Sequence, residues 1–238
     1  MKLLAIDSSG QVASVAIVTE DQVLAEYSVN YKKTHSQTLL PMTEEVMRMT
    51  GSDGSGFDAI AVTNGPGSYT GLRIGSSTVK GLAMVWNKPI VPVPTVDALA
   101  ANAPEFDGVI CPLMDARRGQ VYTGLYRFTE GRLVVIVPQV CTMLSDILDK
   151  VNGLSERVLF LGDGVPVHKE ALTEKVTVPY AFAPMHRAVQ SAASLGFLAC
   201  RYYAEGKTVS AEELVPEYLR MSQAEREREE RLEHRKDE

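Results

Sequence analysis

The chain has 238 residues, 45% hydrophobic and 23% charged, with a formal net charge of −6. That suits one large globular unit or two of about 100 residues each, and it argues against strong unaided binding to a phosphate backbone. The cysteines Cys111, Cys141 and Cys200 are odd in number and form no C-x-x-C pair, so they read as thiols in a reducing cytosol rather than a disulfide framework.

The opening apolar run, KLLAID, suits a short buried strand and is too brief for a signal peptide or a membrane span. VASVAIV and VLAEYSV follow as β-prone segments separated by polar turn residues. A helical pattern runs from Ser36 to about Thr50. FDAIAVT reads as a buried strand, Gly71 to Trp86 as a second helix and PIVPVP as an edge-like strand. TVDALAANA closes the series as a short helix with Thr95 as its N-cap. The order is βββαβαβα.

The second half repeats this plan. VICPLMDA, QVYTGLYRF and RLVVIVP read as strands, followed by a helix from about Thr142 and the strand RVLFLG. A short helix near Val165 to Leu172, a weak strand KVTVP and a long helix from Arg187 to Tyr203 complete it. The turn at Asp7-Ser-Ser-Gly10-Gln11-Val12 has a counterpart at Asp115-Ala-Arg-Arg-Gly119-Gln120-Val121, one residue longer. Two halves of this kind facing one another across a cleft imply the α/β, duplicated actin-like ATPase (ASKHA) fold. The expected units are an N-terminal subdomain over 1–104, a C-terminal subdomain over 105–221 and a charged tail over 222–238.

Candidate chemistry is sparse. Asp7 is placed to position a metal or water at a strand end, with Ser8 and Ser9 as phosphate donors; an Asx turn is the competing reading. Asp115 carries the same two readings. The stretch TNGPGSYTGLRIG resembles a phosphate-binding turn, with Gly65 and Gly67 permitting close backbone approach and Ser68 or Thr70 capping the helix, but it lacks the lysine of a P-loop. No two of His35, His168, His186 and His234 are three or four residues apart, so no helix offers a paired His face to a metal. No G-x-S-x-G or H-E-x-x-H motif occurs.

Two helices carry unusual faces. In HSQTLLPMTEEVMRMT, Leu39, Met42, Val46 and Met49 form one apolar stripe and Leu40 and Met47 a second beside it. One stripe is expected to face the sheet and the other a partner, with the methionines as adaptable contacts. Pro41 fits a helix starting near Thr38 and kinks one starting at Ser36. In the next helix Gly71, Gly75 and Thr78 share a face, Gly81 lies near its edge, and Arg73 is the nearby cation, a candidate to meet an anion or a carboxylate on a neighbour.

NGPGSYTGLRIG, together with HSQTLLP, DARRGQVY and PEYLR in that order along the chain, resembles the bacterial TsaB (YeaZ-type) family, over nearly the whole length to about residue 221. The resemblance implies an actin-like fold and a role in forming N6-threonylcarbamoyladenosine at position 37 of tRNAs that read codons beginning with A. It implies a non-catalytic subunit of the cytoplasm, working with the transferase TsaD and the ATPase TsaE and self-associating when TsaD is absent. ATP and metal are then expected on the partner subunits, and tRNA is met only through the complex. The dimerisation helices would match residues 36–50 and 71–86, placing Leu39, Leu40, Met42, Val46, Met47, Met49, Gly71, Arg73, Gly75 and Thr78 at the interface. Asp7, Ser8, Ser9, Gly65, Gly67, Ser68 and Asp115 would be a vestigial nucleotide site. In the tail, SQAEREREERLEHRKDE carries seven acidic and five basic residues, and Glu227 with Arg231 suits a frayed, solvated helix with a possible docking role. Tyr218 and Leu219 are expected to anchor the chain end to the body.

Overall fold

The computed structural model describes residues 1–31 and 34–220; the expectations for the charged tail lie outside the described residues. The first half contains β1 (Lys2–Asp7), β2 (Ala13–Thr19), β3 (Val23–Val29), α1 (His35–Thr50), β4 (Ala59–Thr63), α2 (Tyr69–Trp86), β5 (Ile90–Val93) and α3 (Thr95–Ala100). The second contains β6 (Val109–Asp115), β7 (Gln120–Thr129), β8 (Arg132–Met143), α4 (Leu144–Asn152), β9 (Val158–Leu161), α5 (Gly164–Lys175), β10 (Tyr180–Phe182) and α6 (Ala192–Ala204). The strands form two five-stranded sheets, ordered β3-β2-β1-β4-β5 and β8-β7-β6-β9-β10. In each, the first three strands are antiparallel and the last two join in parallel. The same topology twice is the structural form of the duplication.

Period-two alternation in β1 sorts its side chains by size. Leu4 and Ile6 point to the face covered by α1 and α2, with Val15, Ile17, Ile60 and Val62 beside them. Leu3 and Ala5 point to the other face, with Ala16, Ala59 and Ala61. That alanine-rich surface lets a helix approach closely, and the helix that does so is α6, through Ala192, Leu195 and Ala199. Gly196 of α6 lies directly on Val18, where a Cβ would collide.

The helix on that face comes from the other half of the sequence. Conversely, α3 packs Val96, Leu99 and Ala100 against Ile110, Met114 and Tyr126 of the second sheet. The strands of the two sheets divide between Val93 and Val109, but α3 and α6 each pack onto the sheet of the other half. Chain after α6 also returns to the first half: Val209 bridges to Ile90, and Leu214 is buried among Leu39, Met42 and Ile60.

Several local expectations are corrected. The first helix begins at His35, with Thr34 as an N-cap whose side chain makes no capping hydrogen bond to the helix backbone, so Pro41 lies inside it. Pro41 is exposed, where the Gln37 carbonyl it fails to satisfy can meet water. Thr95 is the first residue of α3; its hydroxyl instead accepts from the Gly65 N–H at 3.2 Å. The last strand of the second sheet is YAF rather than KVTVP. The final helix begins at Ala192, capped by Ser191, whose hydroxyl accepts from Ser194 N–H at 3.3 Å.

The two stripes of α1 separate differently from the sequence reading. Leu39, Met42 and Val46 are core residues, whereas Met49 of the same predicted stripe is exposed with Leu40, and Met47 is half-buried against the core. Met49 lies about 80° around the helix from Leu39 and about 20° beyond Met42, at the edge of the stripe and in the last turn of the helix. Accordingly, Met42→Ala should cost about 2–5 kcal/mol by opening a cavity. Met49→Ala should change stability by no more than about 0.5 kcal/mol. Urea denaturation of the monomeric chain compares the two.

Candidate functional site

The C-terminal ends of the central strands of both sheets open onto a cleft of about 710 Å³. Ser9, Gly10, Gly67, Ser68 and Tyr69 line it from the first half. Asp115, Arg117, Tyr122 and Asp163 line it from the second, and Tyr218, Leu219 and Arg220 from the C-terminal segment. A ligand crevice at the carboxyl ends of strands is the usual place for one in α/β sheets.

Asp7, 1% exposed, ends β1. Its Oδ1 accepts from Ser9 N–H at 2.9 Å, Ser9 O–H at 2.7 Å and Thr63 O–H at 3.1 Å. This is the Asx turn of the competing reading, reinforced from β4. Burial raises the carboxyl above its ordinary value, outweighing these hydrogen bonds and the charge of His35, which lower it. Ser8 donates from its hydroxyl to the Gly71 carbonyl at 2.9 Å. The Ser9 carbonyl accepts from Ser68 N–H at 2.7 Å. His35 Nε2 sits 2.8 Å from the Gly10 carbonyl, tying the start of α1 to the same turn.

The glycines of the opening motif serve this contact. A Cβ on Gly71 or Gly75 would run into Ser8, and one on Gly67 into the Ser9 carbonyl. Gly71 and Gly75 are therefore internal packing residues, a correction to their assignment at an interface, as burial is for Leu39, Met42 and Val46. Ser68 caps α2 as expected, accepting from Gly71 N–H at 3.3 Å. Thr78 is half-buried, and the exposed Arg73 lays its guanidinium 4.4 Å from the Tyr69 ring centroid.

The second half builds the matching turn. Asp115 Oδ1 accepts from Arg117 N–H at 2.8 Å, the same i to i+2 bond that Asp7 makes. Asp163 follows β9 and accepts from Asp115 N–H at 3.3 Å. Burial chiefly raises its carboxyl, and the neighbouring Asp115 charge adds to the effect. Sequence reasoning missed Asp163, although its place in LGDG, at the strand-to-helix step equivalent to TNGPG, was a usable signal. Among the described residues, no three His, Cys, Asp or Glu side chains converge as a metal site.

A second surface lies outside the cleft. Leu40 is 54%, Met49 68%, Met84 72% and Val85 81% exposed. The sequence reading missed Met84 and Val85. They continue the face of Arg73, Ser77 and Gly81, and that helical spacing was the signal that could have found them.

The Asp7 turn makes a testable claim. Asp7→Ala strands three buried donors and should cost about 2–3 kcal/mol, whereas Asp7→Asn keeps an acceptor oxygen and should cost less. Because the folded Asp7 value is raised, its contribution is full below 3.8, the ordinary value, and is lost as pH rises through the folded value. The stability of Asp7→Asn relative to the parent should therefore rise from about pH 4 and level off above the folded value, as urea titrations at stepped pH would read.

Residues 22–228 match the family model described as TsaD: tRNA N6-adenosine threonylcarbamoyltransferase. Among curated proteins, the chain is 37% identical to the tRNA threonylcarbamoyladenosine biosynthesis protein TsaB of Bacillus subtilis, over 94% of this chain and 96% of that protein. It is 29% identical to the protein of the same name from Escherichia coli, covering 92% and 95% respectively. The solved structure of YeaZ from Pseudomonas aeruginosa superposes with a TM-score of 0.77 at 27% identity, covering 92% of this chain and 99% of that one. At 11% identity and a TM-score of 0.50, an activator of 2-hydroxyisocaproyl-CoA dehydratase from Clostridium difficile, solved with bound ADPNP, shares the fold over 87% of this chain and 97% of its own. With its duplicated actin-like architecture and near full-length similarity to these relatives, the chain belongs to the TsaB (YeaZ) family.

Proposed function

We propose that this chain is a non-catalytic scaffold subunit of the machinery that forms N6-threonylcarbamoyladenosine at position 37 of tRNAs reading codons that begin with A. The observation that carries the reading is the apolar surface on α1 and α2. These helices pack side by side. Each leaves the end of one strand and returns to the start of a parallel one, so their C-terminal ends lie together. Met49, Met84 and Val85 therefore share one end of the surface, with Leu40 further along α1. Flexible methionines beside aliphatic side chains suit a contact that accommodates more than one partner. The partners we assign to it are a TsaD-type transferase and, when that is absent, a second copy of this chain, with TsaE joining the assembly. ATP and metal belong to those partners in this reading, and tRNA is engaged through the complex in the cytoplasm.

The rival reading is a stand-alone phosphotransferase or ATPase, and the cleft itself favours it. Against it stands the commitment of the candidate groups. Asp7 is buried and accepts three hydrogen bonds through one oxygen, and Ser8, Ser9 and Ser68 are engaged in holding the turn to α2.

In the full chain, Leu40→Glu with Val85→Glu should abolish self-association and co-purification with the TsaD-type partner. The urea midpoint should stay where it was, because both side chains are exposed. Reconstituted tRNA modification should fall with the lost association. Unaltered association of this variant with both partners would remove the α1–α2 surface from the account. For the rival, titration calorimetry of the isolated chain with ATP and Mg²⁺, followed by a phosphate-release assay, should show no turnover.

A further inference from the structure

We propose that Val209 to Arg220 forms a strap that ties the two lobes together across the mouth of the cleft and fixes its opening. This inference rests on the cleft alone and stands apart from the scaffold role.

The strap is fastened first to the N-terminal lobe. Val209 and Ile90 exchange both backbone hydrogen bonds, at 2.8 and 2.9 Å. Leu214, 1% exposed, is buried in the core beneath α1. The Glu217 N–H then donates to the Asn64 carbonyl at 2.7 Å. The Glu217 carbonyl presses so closely on Gly65 that no Cβ fits there, and Gly65 holds φ at +109°. Tyr218 sets its ring 5.1 Å from that of Tyr69 at the start of α2.

The same few residues also hold the C-terminal lobe. Gln139 of β8 donates from Nε2 to Glu217 Oε2 at 3.0 Å. The Arg220 guanidinium donates to the Ala116 carbonyl, in the turn after β6. Glu217 therefore bonds one lobe through its backbone and the other through its side chain. Arg220 closes the span six residues beyond Leu214, the last core anchor. Since Tyr218, Leu219 and Arg220 also line the cleft, the strap forms part of its wall. A two-lobed fold whose halves would otherwise swing about their shared base is held at one separation by two charge-assisted bonds to the second lobe and three neutral backbone bonds to the first. Widening the cleft requires release of Glu217 and Arg220 from the second lobe.

The test measures lobe separation in the full chain. Nitroxides are placed at Gln11→Cys and Glu170→Cys, exposed positions on opposite lobes, in a Cys141→Ser background. Pulsed electron spin resonance compares this chain with one that also carries Glu217→Ala and Arg220→Ala. The strap predicts a distance distribution that broadens toward longer values, with cooperative unfolding retained. It also predicts exchange of the Glu217 amide at least about tenfold faster, as loss of a hydrogen bond to a charged group implies. Superimposable distributions would overturn the proposal even if the amide exchanges faster, because the segment would then be a passenger on lobes held elsewhere. If the double variant does not fold, Gln139→Ala cuts one link from the far side and is judged by the same distribution.

Discussion

The fit between the Asp7–Gly10 turn and the first two turns of α2 is the constraint from which the rest of the first lobe follows. Ser8 bonds the Gly71 carbonyl, Ser68 N–H bonds Ser9, and Gly67, Gly71 and Gly75 leave out the Cβ atoms that would hold the two backbones apart. Asp7 fixes the shape of the turn from within by accepting three donors. Because the glycine face of α2 is turned inward, helical geometry turns the face of Arg73, Ser77, Gly81, Met84 and Val85 outward. The exposed apolar surface is thus the other side of a tight internal contact. In the motif that resembles a phosphate loop, the Ser68 N–H is bonded to the Ser9 carbonyl, the Ser68 hydroxyl accepts from the Gly71 N–H, and the Gly65 N–H is bonded to the Thr95 hydroxyl.

The duplication is complete in the sheets and exchanged in the helices. Each lobe takes one helix from the other half of the chain, α6 onto the first sheet and α3 onto the second. Phe128 and Leu133 of the second sheet pack against the cores on both sides of the division. The lobes therefore share apolar surface at their base, and only the cleft end is free to vary its width. Asn102 reinforces the base: its Nδ2 donates to the Arg187 and Val189 carbonyls at 3.0 and 2.7 Å, and Arg187 donates back to the Asn102 carbonyl at 2.7 Å.

What was legible in the sequence was local. Strand and helix order, the paired turns and the Ser68 cap could be read because each depends on neighbours within a few residues. The faces of α1 were harder. Periodicity groups Leu39 with Met42 and Leu40 with Met47, but it does not say which group meets the sheet, and in a helix longer than four turns a single stripe divides between inside and outside. Longer-range assembly was not legible. The destination of α6 depends on Ala5, Ala16 and Ala59 forming a shallow surface more than about 130 residues earlier in the chain. The cleft is built from segments near residues 9, 67, 115, 163 and 218, and of these the one near 163 went unread in the sequence. PEYLR was readable as an anchor; its span across both lobes required the fold.

The charges in the cleft bear on what it can hold. Asp115 and Asp163 stand together on the second-lobe wall, and burial raises Asp163 because its ionised form is poorly solvated there. Arg117, in the same turn as Asp115, and Arg220, engaged with the Ala116 carbonyl, line the cleft with them. Two carboxyls beside two guanidiniums give little net attraction for a polyphosphate, and the Ser9 and Ser68 N–H groups are already bonded within the fold. A triphosphate seated here would need cations brought to it, either as metal or from another subunit.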